Sequence, residues 1–210
     1  MNIIENDTIK DELIRMKDNF SFYKENLLHV YELCKSNVSS WEYSLGINRD
    51  MIPFENIIPS ISGLKGKNLS KLTKSNIESK NLVSYGVDKN GKVVFLKRKF
   101  HKDVEKYGEN IRIVVDDFIL NIHAYESQPE KNKLLSICHV YEKDGFNYYV
   151  FITPPHDWFV RIDNIDDNVI THSYMFSNNW FKQIDFDLLY NDSGMLSKIM
   201  IGDFLHWKNE

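Results

Sequence analysis

The residues best suited to chemistry in this chain are its histidines, tyrosines and aspartates. The tripeptide His-x-Tyr occurs at His123-Ala124-Tyr125, His139-Val140-Tyr141 and His172-Ser173-Tyr174. Composition alone predicts roughly 0.4 occurrences. Each of the three falls in a stretch that reads as β-strand, where side chains two apart share a face, so neighbouring strands could gather imidazoles and phenols into a metal or ligand site. A fourth copy, His29-Val30-Tyr31, falls in a helical stretch where the two side chains diverge by about 200°. That copy favours partly buried rows over a site. Thr153-Pro154-Pro155-His156-Asp157-Trp158 is the most unusual string. Its prolines end a strand and stiffen a loop that presents His156, Asp157 and Trp158. No serine or cysteine nucleophile stands in a recognisable elbow, so the loop reads as a contact surface with an aromatic anchor rather than an acid/base site.

Acidic pairs are the next candidates. Asp116 and Asp117 are expected on opposite faces of one strand, which keeps them from sharing a cation, and Asp163, Asp166 and Asp167 form a looser run. Glu78-Ser79-Lys80 resembles the tail of a nuclease carboxylate/lysine motif, but no aspartate on a preceding strand completes it. Phosphate-loop glycines, zinc-ligand spacing and a dinucleotide fingerprint are missing from the sequence. No metal or cofactor is therefore expected.

The charge is unevenly spread. Residues 65–106 hold twelve Lys/Arg against four Asp/Glu, a balance of +8, whereas residues 157–203 hold eight Asp against Arg161, Lys182 and Lys198, a balance of −5. Lysine-rich loops are usually solvated, so nucleic-acid binding through the basic segment is disfavoured. The first residues lack the pattern of a signal peptide, and no apolar run reaches membrane-spanning length, so a cytoplasmic protein is expected. Cys34 and Cys138 are expected as buried thiols.

These residues need elements to position them. Ile9, Leu13, Met16, Phe20, Tyr23, Leu27, Val30 and Cys34 recur at steps of four and three, which predicts one amphipathic helix over 8–35, with Phe22 and Leu28 widening its apolar stripe. Residues 36–80 lose periodicity among Gly46, Pro53, Pro59, Gly63 and Gly66 and read as an apolar loop region, with one short helix within 69–79. Beyond residue 80 the pattern is β. Strands are expected at 82–87, 92–97, 111–125, 134–141, 146–153, 158–162, 169–176, 184–190 and 195–201. The central hairpin turns at Asp144-Gly145, where positive φ is required, and pairs Tyr141 with Tyr148. Its strands are apolar on both faces, which places them mid-sheet. The clean alternation of Ile184-Asp185-Phe186-Asp187-Leu188 argues for a strand with one face in water. The expectation is an α+β fold in a single domain spanning 1–210. A long N-terminal helix and loop-rich part (1–80) would pack on a mainly antiparallel meander of about eight strands (81–210).

Three turns punctuate that meander alike: Tyr85-Gly86-Val87-Asp88-Lys89-Asn90-Gly91, Tyr141-Glu142-Lys143-Asp144-Gly145 and Tyr190-Asn191-Asp192-Ser193-Gly194. Together with the helix-plus-meander layout and the absence of catalytic motifs, these turns make the chain, over roughly residues 82–201, resemble the small cytoplasmic immunity proteins of bacterial toxin systems. The resemblance implies a non-enzymatic module that neutralises a cognate toxin by capping its active site through an acidic face. It implies Asp157, Asp163, Asp166, Asp167, Asp185 and Asp187 as partner-binding residues, with Trp158 or Trp180 as aromatic anchor. The alternative is a metal-dependent hydrolase or nuclease using His156 or the His/Tyr rows.

Overall fold

The computed structural model describes residues 7–49, 51, 66–99, 101, 103–153, 155, 157–167, 169–179 and 182–208. The chain is α+β and divides into two compact units, 1–18 with 138–210, and 19–137. Among the described residues, thirteen strands replace the eight or so expected. No described helix is long and apolar enough to cross a membrane.

The helix expected over 8–35 is two helices, α1 (Asp7–Glu25) and α2 (Leu27–Ser36). Asn26 separates them. Its backbone N–H and its side-chain Nδ2 both donate to the Phe22 carbonyl, and its ψ of 15° leaves the helical range. An asparagine amide that competes for backbone acceptors is a known helix interrupter, which periodicity does not register. The stripe itself is real: Ile9, Met16, Tyr23, Leu27, Val30 and Cys34 are all buried. Phe22 and Leu28, expected to widen it, are exposed instead.

Unit 19–137 carries β1 (Ser40–Leu45), β2 (Lys67–Leu69), α3 (Lys74–Ile77), β3 (Leu82–Val87), β4 (Val93–Lys99), α4 (Val104–Tyr107), β5 (Glu109–Val115) and β6 (Phe118–Ala124). Its strands lie in the antiparallel order β6-β5-β4-β3-β1-β2. The strand expected over 111–125 is two strands, because Asp116 adopts a φ of +51° and turns the chain back. Asp116 and Asp117 are a turn, so they do not face opposite sides of a strand. Aspartate tolerates this left-handed conformation better than most residues, and without a glycine the turn carries little sequence signal. Strands β1 and β2 were hidden for another reason: they are too short, and too close to the prolines and glycines of that segment, to show a period. The turn after β3 follows expectation, with Gly91 at φ +80° and the Asp88 carboxylate accepting from Asn90 N and Lys92 N, both at 2.9 Å. Helix α2 packs on this unit's strands, with Tyr31 edge-on to Phe95 at 5.7 Å and the buried Cys34 against Val114.

Unit 1–18 with 138–210 carries the second half of β7 (Lys133–Lys143), then β8 (Phe146–Thr153), β9 (Asp157–Asp166), β10 (Val169–Ser177), β11 (Gln183–Tyr190), β12 (Leu196–Ile201) and β13 (Phe204–Lys208). The strands are neighbours in sequence order. The Asp144-Gly145 turn has the positive φ values the sequence requires, 52° and 80°, and the Tyr141 and Tyr148 rings stack at 4.9 Å. Tyr149 and Val150 are both fully buried although they point to opposite faces, so β8 is covered on both sides. Strand β13 was missed because five residues after a Gly202-Asp203 turn carry no alternation a sequence pattern can use.

Candidate functional site

Strand register decides which expected residues can act together. In β8, β9, β10 and β11 the pairs Tyr149↔Arg161, Asn147↔Asp163, Ser173↔Asp163 and Ser173↔Phe186 place Arg161, Asp163 and Ser173 on one face. The pairs Tyr148↔Ile162, Tyr174↔Ile162, His172↔Asn164, Tyr174↔Asp185 and His172↔Asp187 place Tyr148, His172, Tyr174, Asp185 and Asp187 on the other. A bulge between Ile170 and His172 brings the histidine onto that second face. By the same alternation Trp158 and Asp166 share it.

The first face is closed. Asp163 is 0% exposed and accepts from Arg161 Nε at 2.8 Å, Arg161 Nη2 at 2.6 Å and Ser173 Oγ at 2.7 Å. The Arg161 guanidinium also lies 5.2 Å from the Tyr149 ring centre. Burial, with the Asp163 charge adding to it, pushes the Tyr149 phenol up to about 12. Asp163 was expected to be exposed and is instead bound inside. The strand that holds it runs to residue 166 rather than stopping at 162, which puts Asp163 in a row between two covered strands.

The second face is partly open. His172 Nδ1 bonds Asp187 Oδ1, and their side chains are 25% and 50% exposed. The His172 ring lies 4.4 Å from Tyr174, and Asp185 accepts from Gln183 Nε2 at 2.8 Å. Trp158 is half-buried, edge-on to Phe176 at 5.9 Å. Asp166 is exposed, and so is Asp167, which spends its backbone on a turn at φ +47°. Asp157 begins β9 and bonds the Asn179 amide, about 30 Å along the strand from Asp166. It lies on the Asp163 side by alternation, so it does not join the patch. Trp180 and His156 lie outside the described residues.

In each of the three strand His-x-Tyr tripeptides the two rings are in contact. His123 contacts Tyr125, with rings 5.1 Å apart; His139 contacts Tyr141 at 4.9 Å; and His172 contacts Tyr174. His139 is buried, and its Nδ1 lies 2.7 Å from Glu12 Oε1 and 2.9 Å from Arg15 Nη2, so it donates to the first or accepts from the second according to tautomer. Burial raises the Glu12 pKa, but the bonds to His139 and Arg15 outweigh it and hold the carboxyl below its ordinary value. Among the described residues no three His, Cys, Asp or Glu side chains gather as metal ligands would. Sequence reasoning did not single out Glu12 and Arg15. The signal available was a carboxylate and a guanidinium three residues apart beside the stripe positions Leu13 and Met16.

The fold and this face define an α+β protein with an antiparallel sheet that exposes carboxylates beside aromatic rings. Compared with known proteins, the chain matches no family model, no curated protein and no solved structure.

Proposed function

We propose that the chain is a non-enzymatic protein-binding module, an inhibitor in the manner of the immunity proteins it resembles, which caps the active site of a cognate toxin. The observation that supports this reading is the shared register of Asp166, Asp185 and Asp187 with Tyr174 and Trp158 on one partly open face. Carboxylates steer a basic partner and set its association rate, and half-buried aromatics supply affinity. A toxin whose substrate cleft is basic meets the first of these requirements.

The test is capture from the native host, together with co-expression of the neighbouring gene's product. The expected outcome is a stoichiometric complex whose association slows with salt and slows again when Asp166 and Asp167 are changed together to Lys. Association unchanged by that double substitution would remove the acidic face from the proposal. The hydrolase alternative draws on the His172–Asp187 pair, which orients an imidazole as acid/base sites do. Elemental analysis of the purified protein distinguishes the two, since a stoichiometric transition metal would favour the enzyme.

A further inference from the structure

Unit 19–137 contains a second candidate, unrelated to the acidic face. Alternation along β1, β3 and β4, with pairs Trp41↔Gly86, Tyr43↔Ser84, Gly86↔Phe95 and Ser84↔Lys97, places Trp41, Tyr43, Ser84, Phe95 and Lys97 on the face that α2 covers. There the strands and α2 leave an open cleft of about 280 Å³. Tyr31, Trp41, Tyr43 and Phe95 line it, with Trp41 and Tyr43 accessible and Tyr31 and Phe95 buried behind them at 6% and 1% exposed. Phe95 stands edge-on to both Tyr31, at 5.7 Å, and Trp41, at 5.5 Å, and Trp41 is 38% exposed at the mouth. Glycine at position 86 is required here: a Cβ would come within 2.6 Å of Val38 and 2.8 Å of Phe95.

The polar part of the cleft is balanced rather than charged. Lys97 Nζ bonds Glu109 Oε2 at 2.8 Å and Glu126 Oε2 at 2.9 Å. Burial opposes its charge, but the two carboxylates outweigh burial and raise its pKa. Lys35 sits 5.9 Å over the Tyr31 ring, and Ser84 adds a hydroxyl to the lining. A second open cleft of about 420 Å³ shares Trp41 and Tyr43 with the first, and adds Glu42, Asn68, Leu69, Ser70, Lys71 and Leu72.

We propose that this pair of clefts binds a neutral saccharide. A ligand here needs a flat apolar face for the rings and a rim of groups that both donate and accept, because Glu126 can only accept and the lysines can only donate. A sugar ring has both. A polyanion needs a cluster of uncompensated cations, whereas Lys97 already holds two carboxylates, which leaves Lys35 in one cleft and Lys71, beside Glu42, in the other. A cation would meet Lys35 and Lys97. A purely apolar ligand would strip water from Lys97 and Glu126 without replacing it. Two clefts sharing Trp41 and Tyr43 fit more than one sugar unit.

The experiment titrates the full chain by calorimetry with maltohexaose, cellohexaose, N-acetylchitohexaose and adenosine. At least one hexasaccharide is expected to bind with a Kd of about 1 mM or tighter, and more tightly than its disaccharide. Trp41→Ala should weaken it about tenfold or more, and Glu126→Gln, at a side chain 63% exposed and outside the core, about fivefold. Should Trp41→Ala lose its fold, Glu126→Gln and Tyr43→Ala decide. Absence of binding by all three hexasaccharides overturns the proposal. Binding indifferent to the substitutions in both clefts overturns it too, as does binding of adenosine alone.

Discussion

Two acid–base pairs on neighbouring strands of the same unit teach opposite lessons. Arg161–Asp163 is sealed, with side chains 7% and 0% exposed, three hydrogen bonds on the carboxylate and a tyrosine ring against the guanidinium. His172–Asp187 is open, at 25% and 50%. In sequence the two aspartates look alike, each following an apolar residue in an acid-rich segment. What separates them is a strand's alternation. Asp163 belongs to the covered face and Asp187 to the wet one, so one carboxylate holds the fold and the other is left for a partner. Glu12–His139 lies between them, at 11% and 10%.

The sharpest way to break this ranking is to neutralise each acid and measure unfolding in urea. Asp163→Asn should cost about 3–5 kcal/mol, since it leaves a buried guanidinium without its countercharge. A smaller loss would mean that water reaches the site. Replacing both partners, Arg161→Met with Asp163→Leu, should recover most of that loss, because an apolar pair avoids the desolvation cost of two charges. Glu12→Gln should fall between, at about 1–3 kcal/mol, as expected for a charge-assisted bond. Its effect is also pH-dependent with a definite sign. The folded carboxyl titrates below its unfolded value of 4.5, so its contribution is present above pH 4.5 and is lost as pH falls through the folded value. The stability gap between the native chain and Glu12→Gln should therefore narrow on acidification from pH 7 to about pH 3. A gap that widened would reverse the assignment. Asp187→Asn should change stability least, by under about 1 kcal/mol, while still slowing association with a captured partner.

Cys34 and Cys138 are both free and buried. Burial, helped by the Asp116 charge, pushes the Cys34 thiol up to about 11. Neither should react with a thiol reagent in the native state, and both should react in denaturant.

Much of the fold was legible. The Asp144-Gly145, Asp88-to-Gly91 and Asn191-to-Gly194 turns could be read because glycine at positive φ and an Asx side chain folding back on its own backbone are local facts. The apolar stripe of the helices and the Asp185/Asp187 alternation could be read because burial repeats at a fixed period. The break at Asn26, the glycine-free turn at Asp116, short β1, β2 and β13 and the bulge before His172 were not legible. Each depends on a single residue's hydrogen bond or on a neighbouring strand, and neither leaves a period in the sequence.

Sequence alone therefore determined the class of architecture and most places where the chain reverses, because φ preferences and hydrophobic spacing act within a few residues. Only tertiary structure decided which aspartates face water, that His139 meets Glu12 and His172 meets Asp187, and that Trp41 and Tyr31 meet on Phe95. Those outcomes depend on which strands pair and in what register, and pairing brings together residues that no local interaction along the chain connects.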